Sequence, residues 1–144
     1  MNGSNLQALA KIENYCNDIE NSIIRFGNSK EIFLTDRDYQ NTVAMSLLQI
    51  GELTTHLSDD FKELFSNEVD FVGCKRFRNI VAHNYGVIDF TMVWDSIQNE
   101  VPQIKAFCQK KRVENEVLNK EVIKDVNDLF DDIIISSEQT TGRK

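Results

Sequence analysis

The densest group of reactive side chains is the segment RNIVAHNY at residues 78–85, which holds a guanidinium, an amide, an imidazole and a phenol. If the segment is helical, Asn79 and His83 lie four residues apart on one face. The long side chain of Arg78 can bend toward the same place. Tyr85 follows at the position where the helix is expected to unwind. The spacing therefore allows all four groups to meet at one end of a helix.

These groups suit the cleavage of a phosphodiester without a metal ion. An imidazole has an ordinary pKa of about 6.5, so it can accept or donate a proton at cytosolic pH. His83 could take the proton of an RNA 2′-hydroxyl, and that oxygen would attack the neighbouring phosphorus. Arg78 would hold the phosphate and offset the charge of the transition state, while Asn79 would orient the imidazole or bind a phosphate oxygen. Because DNA lacks the 2′-hydroxyl, this chemistry predicts RNA and not DNA as substrate.

A purely structural interpretation explains the same spacing. A solvent-exposed helix face that ends in a cap would present the same residue types. A histidine near a helix C-terminus is favoured by the helix dipole whatever its role. Spacing alone therefore leaves both interpretations open, since a short motif carries a real risk of a false match.

The remaining histidine and the cysteines predict no metal site. His56 lies four residues after Glu52, so the two are expected to share a helix face and to form an ion pair of the kind common on helix surfaces. Neither histidine belongs to an H-E-x-x-H motif, and Cys16, Cys74 and Cys108 lack metal-ligand spacing. No glycine-rich phosphate loop occurs either. The sequence therefore predicts neither a metal nor another cofactor.

The composition indicates one acidic domain. The 144 residues suffice for one modest core, and a net charge of −7 argues against a general nucleic-acid-binding protein. A compact basic cluster, Lys75, Arg76 and Arg78, could still contact phosphates locally. No segment is apolar enough for a transmembrane helix or a secretory signal, and the odd cysteine count favours packed, reduced thiols. These features predict a cytoplasmic protein without a membrane partner.

Apolar residues recur at steps of three and four along most of the chain, which predicts an all-α fold, an up-and-down helical bundle with short loops. Residues 1–112 form the predicted bundle, and residues 113–144 form an acidic C-terminal helix with a frayed tail. Pro102 is expected to kink the fifth helix or to mark a break near Glu100. Two heptad-spaced stripes suggest pairing with a second copy. Capping residues set the expected helix ends, at Ser4, Gly27, Thr35, Ser58, Asp70, Gly86 and Asp89.

The segment at residues 78–85 has the pattern R-x-x-x-x-H-x-Y, which resembles the signature of HEPN-domain proteins and specifically their HepT-like branch. Two further blocks extend the resemblance. One is IGEL at residues 50–53 followed by LSD at 57–59, and the other is VWD at 93–95 followed by EVP at 100–102. With these blocks in order, the resemblance covers roughly residues 6–110.

The resemblance implies a homodimer whose two motifs meet in a shared cleft. It also implies a metal-independent RNase toxin of a toxin–antitoxin module, acting on an RNA such as tRNA or mRNA. Arg78 and His83 are the implied catalytic pair, and Asn79 is the polar residue beside the arginine. The implied antitoxin is an MntA-like nucleotidyltransferase that transfers AMP from ATP to Tyr85. Glu52 lies in the matched block at residues 50–53. The resemblance leaves open whether it supports the site or has a purely structural role.

A second hypothesis is a non-catalytic helical module that accompanies a nucleotidyltransferase, with the motif serving only as the target of modification. The acidic charge and the long apolar stripes motivate it. Residues 113–144 lie largely outside the resemblance. Their acidic face could cover the basic cluster, contact the antitoxin or simply lengthen the bundle.

Overall fold

A computed structural model describes residues 1–141, which form helices connected by short turns. No strand occurs within this range, so the predicted all-α class is confirmed. A 3₁₀ turn at Tyr85–Val87 separates the last two helices. In chain order, the six α-helices of residues 1–141 are α1 (Gly3–Phe26), α2 (Lys30–Thr35), α3 (Arg37–Thr54), α4 (Asp59–Leu64), α5 (Phe71–His83) and α6 (Phe90–Thr141).

Local capping explains most of the helix ends. The side chains of Ser58 and Asp70 accept hydrogen bonds from backbone N–H groups three residues later, at 3.3 and 2.9 Å, and Asp89 accepts one from Thr91 at 3.0 Å. Gly27 ends α1 with φ of 117°, in the region that favours glycine. These four boundaries match the sequence prediction. Helix α1 begins slightly earlier than predicted, because Asn2 is its N-cap.

The sequence prediction missed helix α2, which has only six residues and therefore too little periodicity to detect. Its buried residue, Phe33, packs against Tyr39 and Trp94 with ring centroids 4.9 and 5.5 Å apart. As a result, α3 begins after Asp36, whose carboxylate accepts the Tyr39 N–H at 3.1 Å, and not after Thr35.

The hydrophobic core is formed by the apolar faces that the spacing predicted. Helix α1 packs against α3, and α3 packs against α5. Each fully buried aliphatic or aromatic side chain contributes about 1.5–3 kcal/mol relative to an exposed one, so this core dominates the stability of the bundle. Its largest fully buried members include Leu9, Ile12, Ile19, Phe33, Tyr39, Val43, Ile50, Ile97 and Val101. The cysteines form no disulfide in residues 1–141, and Cys16 and Cys108 are buried.

Helix α6 continues through Pro102 to Thr141, so a break near Glu100 is wrong. The helix also extends past Ser136, where the sequence predicted a frayed tail, while residues 142–144 lie outside the described part. The chain nevertheless divides into two compact units, Met1–Arg112 and Val113–Lys144. Over residues 1–141, no helix contains a stretch apolar enough to cross a membrane.

Candidate active site

Helix α5 carries Arg78, Asn79 and His83 in its last turns. It ends at His83, where the N–H of Asn84 still donates to the carbonyl of Ile80 at 2.8 Å. Gly86 was predicted to end this helix but lies three residues beyond it, inside the 3₁₀ turn and without a positive φ. The helix therefore stops by turning into the 3₁₀ segment, and His83 is its final residue.

The guanidinium of Arg78 is held on two sides. Its Nε donates to Oε1 of Glu52, and its Nη1 donates to Oδ1 of Asn79 at 2.7 Å. The side chains of Arg78 and Glu52 are 29% and 35% exposed, so this pair is half-buried and still reaches solvent. Within residues 1–141, Arg78 makes no other hydrogen bond, which leaves three of its five N–H donors free for an incoming anion.

A glycine allows Glu52 to reach Arg78. A Cβ on Gly51 would lie 2.5 Å from Cβ of Arg78 and 2.7 Å from the carbonyl oxygen of Cys74. Neither distance is tolerable for real atoms, and one of the two neighbours is rigid backbone. Helices α3 and α5 can therefore approach this closely only because residue 51 has no side chain, and their approach places the Glu52 carboxylate beside the guanidinium.

The predicted ion pair between Glu52 and His56 is wrong. Helix α3 ends at Thr54, so His56 lies in the following turn and is exposed. The four-residue spacing would have paired them only if the helix had continued. Glu52 instead contacts a residue 26 positions later in the chain. This contact places the Glu52 carboxylate directly against the motif arginine, which is compatible with either role predicted for Glu52.

His83 is exposed and is the basic residue of the last turn of α5. Among the described residues, no side chain or backbone group hydrogen-bonds its imidazole. Asn79 precedes it by four residues on the same helix, but the amide oxygen of Asn79 is engaged by Arg78. Asn79 therefore orients the guanidinium here, and the imidazole remains accessible to a substrate.

Tyr85 lies in the 3₁₀ turn that follows, and its hydroxyl donates a hydrogen bond to Oδ1 of Asn41. Its ring packs edge-on against Phe90, with centroids 6.1 Å apart, and the residue is 37% exposed. Burial raises the pKa of its phenol, and the positive charge of Arg37 acts in the opposite direction. The phenol is therefore protonated at neutral pH. Sequence reasoning had no signal for Asn41, which lies 44 residues away along the chain.

The basic cluster is smaller than the sequence suggested. Lys75 and Arg76 are exposed, but the charge of Arg78 is paired with Glu52. A patch of two free cations binds phosphate weakly in a chain whose net charge is −7. No group of three or more potential metal ligands comes together in the residues that the structure describes.

The arrangement separates two chemical tasks along one helix. A guanidinium fixed by Glu52 and Asn79 can bind a phosphate oxygen and stabilise charge that develops on it. An exposed imidazole, five residues later, can move a proton. Each of these functions accelerates the cleavage of an RNA phosphodiester through its own 2′-hydroxyl.

Comparison with known proteins finds similarity to a ribonuclease family. A family model described as "Ribonuclease HepT-like" matches residues 6–111. The protein named "Putative RNase MJ1380" from Methanocaldococcus jannaschii is 33% identical over 89 residues, covering 59% of this chain and 79% of that protein. "Putative RNase MJ0127" from the same organism is 35% identical over 82 residues, covering 56% of this chain and 67% of that protein.

A further relative is "Probable ribonuclease HepT" from Thermococcus cleftensis, which is 30% identical over 82 residues, covering 57% of this chain and 74% of that protein. No solved structure matches the chain at a significant level. The family match covers nearly all of the helical unit Met1–Arg112, which carries Arg78, His83 and Tyr85. The chain therefore belongs to the HepT-like ribonuclease family.

Proposed function

We propose that this protein is a metal-independent endoribonuclease, the toxin of a toxin–antitoxin module that acts in the cytoplasm. The observation that carries the proposal is the contrast within α5, where a guanidinium is locked by Glu52 and Asn79 while His83 is exposed. Such a pair supplies both phosphate binding and proton transfer. Membership of a ribonuclease family supports RNA as the substrate.

The proposed reaction is an internal transfer at phosphorus. The neutral imidazole of His83 removes the proton from a 2′-hydroxyl as that oxygen forms a bond to the adjacent phosphorus. The bond from phosphorus to the 5′-oxygen of the next nucleotide breaks, and that oxygen receives the proton that His83 has taken up, which returns the imidazole to its neutral form. The products are a 2′,3′-cyclic phosphate and a free 5′-hydroxyl, so atoms and charge balance without a metal or water.

Arg78 acts on the phosphate during this step. Its free N–H groups hydrogen-bond the non-bridging oxygens, whose negative charge increases as the fifth bond to phosphorus forms. Because Glu52 and Asn79 already hold the guanidinium, little reorganisation is needed when the substrate arrives. Preorganised donors of this kind are worth about 10²–10³ in rate.

Tyr85 is the proposed site of control by a cognate MntA-like nucleotidyltransferase. In that reaction the phenol oxygen bonds to the α-phosphorus of ATP, the bond to pyrophosphate breaks, and the phenol proton passes to solvent or to a base of the transferase. The exposure of Tyr85 and its position two residues after His83 support this proposal. An attached AMP would place bulk and negative charge beside the site and repel an RNA phosphate.

The exposed apolar side chains of residues 113–135 support the existence of protein partners. We call this set the C-terminal stripe, and each of its members is roughly half exposed. Large exposed apolar patches on soluble proteins are commonly interfaces. We propose that the partners are a second copy of this chain and the antitoxin. The stripe consists of Val113, Val117, Leu118, Val122, Ile123, Val126, Leu129, Phe130, Ile133, Ile134 and Ile135.

The proposal is tested by incubating purified, unmodified protein with RNA in the presence of EDTA. We expect cleavage, and we expect His83→Ala to lower its rate by about 10²-fold or more, the usual contribution of a general acid–base group. His56→Ala is the matched control, because it removes the other exposed imidazole and should cleave like the wild type. Absence of cleavage by folded protein, or a requirement for added magnesium, would contradict the proposal.

A non-catalytic partner module is the second candidate, favoured by the exposed C-terminal stripe. In that case the motif would serve only as a substrate for the transferase. Mass spectrometry would then detect AMP on Tyr85, yet protein lacking the modification would leave RNA intact. A nuclease instead gains activity when the modification is absent.

A further inference from the structure

A concave site lies beside Tyr85 and includes residues of the 3₁₀ turn that follows His83. It is a cavity of about 410 Å³ formed by the end of α2, the start of α3 and the beginning of α6. Its volume falls within the range of about 300–1,000 Å³ that is typical of small-molecule pockets. Tyr85 lines it but neither Arg78 nor His83 does, so the cavity adjoins the candidate active site without containing the proposed catalytic pair.

One part of the cavity wall is apolar and aromatic. The rings of Tyr85 and Phe90 meet at 61°, and Leu34 and Ile88 extend the surface. Phe90 is only half-buried although it is a large aromatic residue. A flat heteroaromatic ring can pack against such a surface, as bases do on aromatic side chains in RNA-binding proteins.

The polar part of the wall has unused hydrogen-bond donors. Arg37 forms no ion pair or hydrogen bond within residues 1–141, and its charge lies close enough to influence the Tyr85 phenol. The Asn41 amide oxygen is occupied by the Tyr85 hydroxyl, while its NH₂ group has no partner among the described residues. Asp36 does not line the cavity, because its carboxylate caps the Tyr39 N–H of α3. A free guanidinium and a free amide thus face the same space as the aromatic wall.

We propose that this cavity is a binding subsite for one nucleoside monophosphate. The base packs on Phe90 and Tyr85, the phosphate pairs with Arg37, and the amide of Asn41 donates to the base or ribose. Arg37 lines the cavity and has no ion pair among residues 1–141, so its charge is available to a phosphate there. Arg37 is thereby a binding residue outside the R-x-x-x-x-H-x-Y motif.

The identity of the natural nucleotide rests on the proposed function. Two sources could supply a base, a ribose and a phosphate to this cavity. One is a nucleotide of the RNA substrate next to the cleaved bond. The other is the AMP group carried by Tyr85 itself, which would begin at the wall of the same cavity. If a single subsite accepts both, the modification blocks the nuclease by occupying the place of an RNA nucleotide.

Direct binding of free nucleotides to the unmodified full chain tests the subsite without any need for catalysis. We expect AMP, GMP, CMP and UMP to bind in calorimetry or saturation-transfer NMR, and at least one of them to bind more tightly than adenosine or inorganic phosphate alone. Arg37→Ala should weaken binding by about tenfold, or 1.4 kcal/mol. Arg37→Lys should recover part of the loss, because it keeps the charge.

Arg25→Ala is the matched control, since Arg25 is also exposed and does not line the cavity. It should bind nucleotides like the wild type. Equal binding by the Arg37→Ala variant and the wild type would overturn the proposal, and so would binding no tighter than that of phosphate. Circular dichroism melts establish that the variants are folded.

RNA cleavage kinetics then identify the source. If the RNA supplies the nucleotide, Arg37→Ala raises KM by about tenfold while kcat changes little, as expected when uniform binding is removed. If only the AMP on Tyr85 occupies the cavity, KM stays unchanged, and protein adenylylated at Tyr85 no longer binds free AMP. A failure of the wild type to cleave RNA would count against the proposed nuclease, while the nucleotide titration would still decide on the subsite.

Discussion

The two ends of the eight-residue motif differ in how tightly the protein holds them. At the Arg78 end, the backbone of α5 lies against Gly51, and the guanidinium is bonded to Glu52 and Asn79. At the other end, His83 is exposed, the helix stops, and Tyr85 borders an open cavity. The structure therefore fixes the guanidinium of Arg78 in advance, whereas His83 and Tyr85 remain accessible to large ligands.

This difference in packing suits the roles proposed for the three residues. A group that stabilises charge works best when it is already oriented before the substrate arrives. A general base and a tyrosine that receives AMP must both be reached by another macromolecule, so tight packing around them would prevent function. Substitutions at the Arg78 end of the motif should therefore change stability and cleavage differently from substitutions at the end that carries His83 and Tyr85.

The largest difference is expected between two glycine substitutions. Gly51→Ala adds a methyl group 2.5 Å from Cβ of Arg78, so we expect a loss of about 3 kcal/mol of unfolding free energy from overpacking. This exceeds the gain of about 1 kcal/mol that alanine usually brings to a helix. Urea denaturation would measure the net loss of unfolding free energy.

Gly86→Ala is the matched substitution at the accessible end. A Cβ there would meet no atom within 4 Å, and the backbone has no positive φ, so the change should stay within about 0.5 kcal/mol. If Gly51→Ala and Gly86→Ala lost similar amounts of unfolding free energy, the two ends of the motif would not differ in how tightly they are packed.

The next effect concerns the orientation of Arg78. Glu52→Ala frees the guanidinium, and we expect kcat for RNA cleavage to fall about tenfold through misplacement of the phosphate-binding group. Stability should change by about 1 kcal/mol or less, because the pair is partly solvent-exposed. Glu52→Gln keeps an acceptor oxygen and should recover most of the rate.

Glu20→Ala is the control for a lost ion pair. It breaks the pair between Glu20 and Lys105, 2.7 Å long, at a site outside the motif. Its cleavage rate should match that of the wild type. An equal loss of rate in the two alanine variants would show that Glu52 acts through general stability alone.

A smaller effect is expected from pH. Burial raises the pKa of the Cys74 thiol from 9.0 to about 11, so the folded state favours the protonated form. The contribution of the protonated thiol to the free energy of unfolding is fully present below pH 9, and it is lost as the pH rises toward 11. Between pH 8 and 10 we expect the wild type to lose about 1 kcal/mol more than Cys74→Ala. Parallel pH profiles in urea denaturation would contradict this.

Among the variants that remove a side-chain contact, the smallest loss of stability is expected at the accessible end. Tyr85→Phe removes the hydrogen bond to Asn41 but keeps the ring against Phe90, so stability should fall by only about 0.5–1 kcal/mol. We expect RNA cleavage to continue and AMP incorporation by the transferase to cease. Intact-mass analysis beside a cleavage assay measures both, and loss of cleavage would assign Tyr85 a direct role in the reaction.

The sequence predicted features that depend on neighbouring residues. Gly27, Ser58, Asp70 and Asp89 mark helix ends because each cap is made with a backbone group only a few residues away. The all-α class followed from the same short-range periodicity. The motif itself was visible because its groups lie within eight residues.

Contacts between distant segments could not be predicted in the same way. Glu52 has a plausible partner four residues away in His56, and only the packing of α3 on α5 shows that Arg78 is the real one. The pairing of Tyr85 with Asn41 spans 44 residues and leaves no local pattern. The cavity at Arg37 likewise depends on α2, a helix too short to detect from periodicity.

The most direct test of the central claim uses one RNA oligonucleotide and a copy that carries a single 2′-deoxyribose at the cleaved position. The proposed role of His83 predicts that the unmodified protein, in EDTA, cuts the RNA to a 2′,3′-cyclic phosphate and a 5′-hydroxyl, and leaves the deoxy copy intact at that position. Equal cleavage of the two oligonucleotides, or products that end in a 5′-phosphate, would contradict it.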